Sequence, residues 1–300
     1  MSLKILVSGS SGLIGSALVS ALRAPGYDVK CLIRNGVAAP DRVLWNPAEP
    51  LSPESVSGFE AVIHLAGESI VGRWTDAKKR RIMDSRVPAT RYLANALSKA
   101  PQRPRVFICA SAIGYYGDRD DELLCEDSLS GKGFTGDLCR QWETVAQSVA
   151  GAGIRAVQIR TGIVLSADGG ALAKMLPPFR LGLGGNVGNG RQWMSWIHLQ
   201  DVVGAIQHLL TTESISGPVN MVSPNPVRNA EFTKTLASVL NRPAILPMPA
   251  FAARLAFGQM ADELLLASQR VEPSKLVSSG YMFKRPDLRS ALQDILAGKA

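Results

Sequence analysis

Near the N-terminus, Gly9-Ser10-Ser11-Gly12-Leu13-Ile14-Gly15 follows the apolar run Ile5-Leu6-Val7 and opens a segment of helical periodicity. The chemistry of that spacing is anion binding. Gly9 permits a tight turn, Gly12 lets backbone approach a pyrophosphate, and Gly15 allows helix and strand to pack closely. A helix starting at Leu13 then aims unpaired N–H groups and the positive end of its dipole at phosphate. Glycines alone are weak evidence. Set between a strand and an amphipathic helix, they point to a dinucleotide.

The second apolar run, Val29 to Ile33, ends Ile33-Arg34-Asn35 with no acid to grip ribose hydroxyls. A guanidinium there suits a 2′-phosphate through charge-assisted bonds. Arg34, with Ser10 or Ser11, therefore predicts NADP rather than NAD. Farther along, Arg191 beside a glycine-rich stretch is placed to clamp a substrate phosphate or carboxylate. Trp193 and Trp196, at i and i+3, read either as substrate-facing or as core.

These residues need a scaffold, and the chain's texture supplies one. Strand-like runs at Ile5–Val7, Val29–Ile33, Val43–Trp45, Ala61–Leu65, Val106–Cys109 and Ala156–Ile159 alternate with helical patterns near 75–99 and 136–150. That alternation predicts βαβ units and a Rossmann-type, doubly wound parallel sheet. After Ser166 the texture changes. Residues 169–190 hold seven glycines plus Pro177-Pro178, read here as a mobile, lid-like segment without regular structure. Helices are expected near 200–211, 229–240, 249–267 and 286–297. The division expected is a dinucleotide-binding domain over 1–165 and a smaller substrate-binding cap over 166–300, with late strands free to rejoin the main sheet.

Composition excludes other classes. Apolar residues make up 46 % and charged residues 19 %, ordinary globular usage. Residues 5–22 are uncharged, but five serines, three glycines and a periodic apolar pattern argue against a signal peptide or membrane span. Cys31, Cys109, Cys125 and Cys139 form no CxxC pair and there are three histidines, so no metal site is expected and a reducing cytoplasm is the expected compartment. The net charge is +8, and residues 73–105 carry ten basic against two acidic residues. Nucleic-acid binding is the rival reading of that run. Without aromatic–basic interleaving, and with Ile82, Leu93 and Leu97 among the charges, it reads as solvated helix faces. The expected partner is a small-molecule substrate; a homodimer is left open.

The GxxGxxG spacing, His64-Leu65-Ala66-Gly67 and Ala110-Ser111-Ala112 together resemble the extended short-chain dehydrogenase/reductase superfamily, in its NAD-dependent epimerase/dehydratase branch. Glu68, Ser85-Arg86, Tyr115-Tyr116-Gly117, Leu176-Pro177-Pro178-Phe179, Ser195-Trp196-Ile197-His198 and Asn220-Met221-Val222-Ser223-Pro224 narrow the resemblance to epimerase-like proteins with a C-terminal extension. The resemblance implies that Leu65, Ala66, Gly67 and Glu68 line the cofactor's phosphate and ribose side. It sets Ala110, Cys139, Gly162 and Ile163 against the cofactor, and makes Ser111 the serine that hydrogen-bonds a substrate oxygen. His198, with Asp201, matches a family "IHxxD" segment, although a structural histidine opening a helix is the favoured reading.

One departure matters most. The superfamily works with Tyr-x-x-x-Lys, the lysine lowering the tyrosine pKa so that the phenol acts near neutral pH. With Glu143 as anchor, Thr135 stands for the tyrosine and Cys139 for the lysine. Tyr115, Tyr116, Glu68 and Lys174 are candidates to substitute, each also readable as structural. Two functions follow as expectations. One is an NADP(H)-dependent hydride transfer on a small, anionic hydroxyl or carbonyl compound of nucleotide-sugar type. The other is a non-catalytic NADPH sensor or scaffold.

Overall fold

The computed structural model describes residues 3–37 and 39–297. Its first half is a run of short strands and covering helices: β1 (Lys4–Ser8), α1 (Leu13–Arg23), β2 (Asp28–Ile33), β3 (Arg42–Leu44), β4 (Ala61–His64), α2 (Asp76–Asp84), α3 (Val87–Lys99), β5 (Val106–Ala112), β6 (Leu123–Leu124), α4 (Phe134–Gln147), β7 (Arg155–Thr161) and β8 (Ile163–Leu165). The second half contains α5 (Gly170–Arg180), β9 (Trp193–Met194), β10 (Trp196–His198), α6 (Leu199–Thr211), β11 (Gly217–Met221), β12 (Val227–Arg228), α7 (Asn229–Leu240), α8 (Ala250–Phe257), β13 (Arg270–Val271), α9 (Ser274–Ser278) and α10 (Leu288–Ala297).

Among the described residues, seven strands form one parallel sheet in the order β11-β7-β5-β4-β1-β2-β3. Chain order reverses between β1 and β4, so a crevice opens at their C-terminal ends, where doubly wound sheets bind ligands. The two-residue period of a strand sorts the core into two layers. Ile5 and Val7 pack with Leu18 and Leu22 of α1 and Val202 and Ile206 of α6. Leu6 faces the opposite layer, with Ile82, Leu93, Leu97 and Trp142 of α2, α3 and α4. Both faces are covered, so the strands can be almost wholly apolar.

Residues beyond 165 do two things. β11 joins the edge of the main sheet beside β7. Of the rest, α6 covers one face of the sheet, while α5, α7 and α10 enclose a third apolar cluster of Leu172, Leu176, Phe179, Trp196, Phe232, Leu236, Leu288 and Leu292.

Several expectations are corrected. Pro177 and Pro178 lie inside a helix, α5. They fall in its last turn and forfeit two intrahelical N–H bonds, a cost that burial of Leu172, Leu176 and Phe179 on one face at helical spacing outweighs. The glycines that follow are pinned rather than loose: Leu246 N donates to Gly184 O, Met248 N to Asn186 O, and Gly188 N to Met248 O. The helical pattern near 75–99 resolves into two helices, α2 ending at Asp84 with Ser85 as its C-cap and α3 starting at Val87 with Pro88 in its first turn. Trp193–His198 forms two strands, β9 paired with β12 and β10 with β8.

Candidate functional site

The glycine loop fills the crevice between β1 and α1, and its residue types are enforced by contact. Gly9 has φ +71°, and a Cβ there would lie 2.7 Å from Ala66 N. A Cβ on Gly15 would lie 2.1 Å from Gly9 O. Gly12 N donates to Gly9 O at 3.0 Å and closes the turn. Gly12 and Ser11 are exposed, and no side chain caps the N-terminus of α1. Open N–H groups at Leu13 and Ile14, beside a turn in which Gly9 and Gly15 leave no room for a Cβ and Gly12 lies exposed, form a cradle of the kind that binds a pyrophosphate. Ser10 borders it. Arg34 stands exposed just past β2, with no hydrogen bond or ion pair among the described residues. Leu65 and Ala66 touch Gly9 from the end of β4, and Gly67 abuts the guanidinium of Arg86. Glu68 is engaged elsewhere: Lys78 Nζ sits 2.7 Å from its carboxylate and holds its pKa below the usual range.

Ser111 lies at the C-terminal end of β5, after Ala110, and is buried. Its Oγ donates to Glu143 Oε1 at 2.6 Å. Arg160 holds the same carboxylate with two bonds, Nε to Oε1 at 2.9 Å and Nη2 to Oε2 at 2.8 Å. Arg160 Nη1 also donates to Tyr116 Oη at 2.9 Å and to Glu126 O. Tyr116 Oη in turn donates to Asn220 Oδ1 at 2.6 Å. Hydrogen bonding to Glu143 raises the Arg160 pKa against the opposing effect of its burial, so this buried pair is a fixed ion pair. Ser111 and Arg160 face each other in the register of β5 and β7. Arg160 follows the apolar Ile159 at the buried end of β7, a sign that a buried carboxylate must answer it; the sequence alone assigns no such role to Glu143, Arg160, Glu126 or Asn220.

The tyrosines are accounted for by the same network. Tyr116 is fully buried, and burial pushes its phenol up to about 12, so it is closed to a ligand and to proton transfer near neutral pH. Tyr115 is half-buried with its ring 3.5 Å beneath the Arg160 guanidinium. Lys174 lies on the exposed side of α5.

Thr135 and Cys139, both buried, share one face of α4. Burial pushes the Cys139 thiol up to about 11, so it stays neutral. Thr135 Oγ1 donates to Glu263 Oε2, and the N–H groups of Phe134 and Thr135 reach the same carboxylate at 3.0 and 2.8 Å. A residue from the C-terminal extension thus closes the helix where the tyrosine was expected. Nothing in the local spacing announced Glu263.

The remaining candidates divide. Gly162 is constrained by packing, since a Cβ there would lie 2.5 Å from Ser195 O, and Ile163 N bonds that oxygen. His198 Nδ1 caps α6 through Gln200 N at 3.1 Å, and Asp201 accepts the N–H groups of Lys284 and Arg285. Both are structural. Trp196 is core, whereas the Trp193 ring packs against the guanidinium groups of Arg228 and Arg270. Arg191 is exposed. His64 is buried between Ser8 Oγ at 2.6 Å and Thr90 Oγ1 at 3.1 Å, and burial lowers its pKa to about 4.

Comparison with known proteins agrees with this geometry. Residues 5–221 match the model of the NAD dependent epimerase/dehydratase family, and residues 248–295 match a domain of unknown function, DUF1731. An epimerase family protein of Mycobacterium tuberculosis is 42 % identical over 290 residues, 96 % of each chain. A crystal structure of human epimerase family protein SDR39U1 with NADPH superposes with a TM-score of 0.91 at 35 % identity, covering 99 % of this chain and 100 % of that one. The nucleoside-diphosphate sugar epimerase of Corynebacterium glutamicum superposes with a TM-score of 0.81 at 36 % identity, covering 98 % of this chain and 58 % of that one.

Proposed function

This chain belongs to the NAD-dependent epimerase/dehydratase family, and from that premise we propose that it binds NADP(H) and catalyses reversible hydride transfer on a small, anionic hydroxyl or carbonyl compound of nucleotide-sugar type. The observation that carries the reading is the cradle at Gly9–Gly15, where uncapped N–H groups open onto a turn in which Gly9 and Gly15 leave no room for a Cβ. Arg34 favours the 2′-phosphate form, as does the NADPH of the human relative. The bound nicotinamide supplies the hydride chemistry. The chain's own residues orient and polarise: Leu65, Ala66 and Gly67 flank the dinucleotide, Ser111 turns its O–H from Glu143 to the substrate oxygen, and Arg191 takes its anionic group.

A second reading, an NADPH sensor without turnover, is favoured by one observation. Thr135 and Cys139 offer no group that titrates near neutral pH, and the threonine hydroxyl is already bonded to Glu263. Two measurements separate the readings. NADPH is titrated by fluorescence into the wild type and Gly12→Val, which should fold but lose binding because a branched side chain occupies the pyrophosphate's path. NADPH consumption is then followed against pools of hydroxyl and carbonyl metabolites. Normal binding by Gly12→Val removes the cradle; tight binding with no turnover on any pool supports the sensor.

A further inference from the structure

Large apolar side chains gather on the surface around α8. Leu181, Leu183, Ile245, Leu246, Phe251 and Leu255 are each at least 52 % exposed. Most come from two segments held side by side. Leu246 N donates to Gly184 O at 3.0 Å, Met248 N to Asn186 O at 2.8 Å, and Arg242 Nε to Arg180 O at 3.1 Å. α8 continues from that ladder with Ala253 as its buried residue, so Phe251 and Leu255, one turn apart, face solvent. Clustered apolar exposure of this kind marks an interaction surface.

The surrounding charges decide what it fits. Residues 169–200 and 232–261, which supply these side chains, contain no Asp or Glu and six bases: Lys174, Arg180, Arg191, Lys234, Arg242 and Arg254. Of the six, only Arg254 has a carboxylate within ion-pair distance among the described residues, Asp262 at 2.8 Å. The basic run that starts at Arg73 closes the far end of α8. Arg73 Nη1 donates to Leu255 O at 2.7 Å, and Lys79 Nζ to Gln259 Oε1 at 3.3 Å. A two-fold contact between copies would set these cations against themselves. A protein partner seats its anchors in pockets. The cavities beside Trp193 and His198, about 300 and 240 Å³, are lined by other residues. Apolar tips within a cationic surround match an anionic bilayer, whose headgroups take the charges and whose acyl boundary takes the tips.

We propose that this face docks the protein on an anionic lipid membrane. No helix among the described residues is long and apolar enough to cross a bilayer, so the chain lies on its surface. Ile245, Leu246, Phe251 and Leu255 enter the headgroup boundary, and Arg180 and Arg242 meet lipid phosphates. The docking face is separate from the Gly9–Gly15 cradle and does not depend on the cofactor reading.

The test floats the full chain with vesicles of phosphatidylcholine alone, or of phosphatidylcholine and phosphatidylglycerol in equal amounts. Wild type is compared with Phe251→Ser/Leu255→Ser, Ile245→Ser and Arg180→Gln/Arg242→Gln. The altered side chains are exposed, so urea midpoints should stay at the wild-type value; Ile245→Ser keeps an apolar test should the double variant misfold. Wild type is expected to bind the anionic vesicles at least roughly tenfold more tightly than the neutral ones, and less so as salt is added. Each double variant should weaken that binding by roughly tenfold or more. No binding to either vesicle, or equal binding to both, overturns the proposal. So does binding that falls in the arginine variant and is unchanged in both serine variants, which is plain adsorption of a basic protein. Lipid-free self-association that Phe251→Ser/Leu255→Ser abolishes, with vesicles ignored, assigns the face to a second copy and also overturns it.

Discussion

Thr135 Oγ1 donates a 2.7 Å hydrogen bond to Oε2 of Glu263, across 128 positions of sequence. Two backbone N–H groups of α4 converge on the same carboxylate. An anion at a helix N-terminus answers both the orphan donors and the dipole. The C-terminal extension is therefore part of the site's scaffold: it caps the helix that carries Thr135, Cys139, Trp142 and Glu143.

Removing that cap should be felt as stability. Glu263→Ala is expected to cost about 1–2 kcal/mol and Thr135→Val about 1 kcal/mol, the range of lost helix caps and single hydrogen bonds. Denaturant midpoints measure both. A Glu263→Ala protein as stable as wild type would show that the carboxylate is not holding the helix.

Cofactor choice should follow Arg34. NADPH is expected to bind at least about tenfold tighter than NADH, and Arg34→Ala to erase most of the difference, because one charge-assisted contact is worth about 1.5–3 kcal/mol. The preference should shrink with added salt, since Arg34 is exposed. Equal affinities of the wild type for the two cofactors would defeat this expectation.

Ser111 and Glu143 are expected to separate rate from stability. For a substrate that draws the Ser111 O–H away from Glu143, Ser111→Ala should lower turnover by roughly 10²–10³, the usual cost of one oxyanion donor, while Cys139→Ala should change it little. Glu143→Gln should instead destabilise the fold by roughly 3–5 kcal/mol, because Arg160 is left buried without its counter-charge. Turnover of the substrate found by screening and a urea titration read the two effects. Should Cys139→Ala match Ser111→Ala in rate with NADPH binding intact, the thiol is catalytic.

His64 should make stability depend on pH. Its pKa falls from 6.5 to about 4 on folding, because burial disfavours the charged ring. The unfolded chain therefore takes up a proton below pH 6.5 that the folded chain refuses until about pH 4. The contribution is whole above that window and is lost as pH falls through it, by up to about 3 kcal/mol. Urea titrations of wild type and His64→Gln across the window should give a flatter profile for the variant. Parallel profiles would mean that His64 is not the proton acceptor.

The glycine loop, Arg34 and the strand–helix alternation were legible in the sequence because each depends on neighbours a few residues away. Gly9, Gly12 and Gly15 constrain one turn, and two-residue and helical periods mark which face is apolar. Other features depended on where distant segments landed. Pro177-Pro178 argued against a helix, yet burial of Leu172, Leu176 and Phe179 outweighed local preference. Tyr116 looked available until packing buried it beneath Arg160 and Asn220. Ser111 meets Arg160 only because β5 and β7 pair in that register, and Thr135 meets Glu263 only because the extension folds back over α4. Hydrogen bonds and ion pairs act over a few ångströms of space, and only the folded chain brings residues that far apart in sequence within that range.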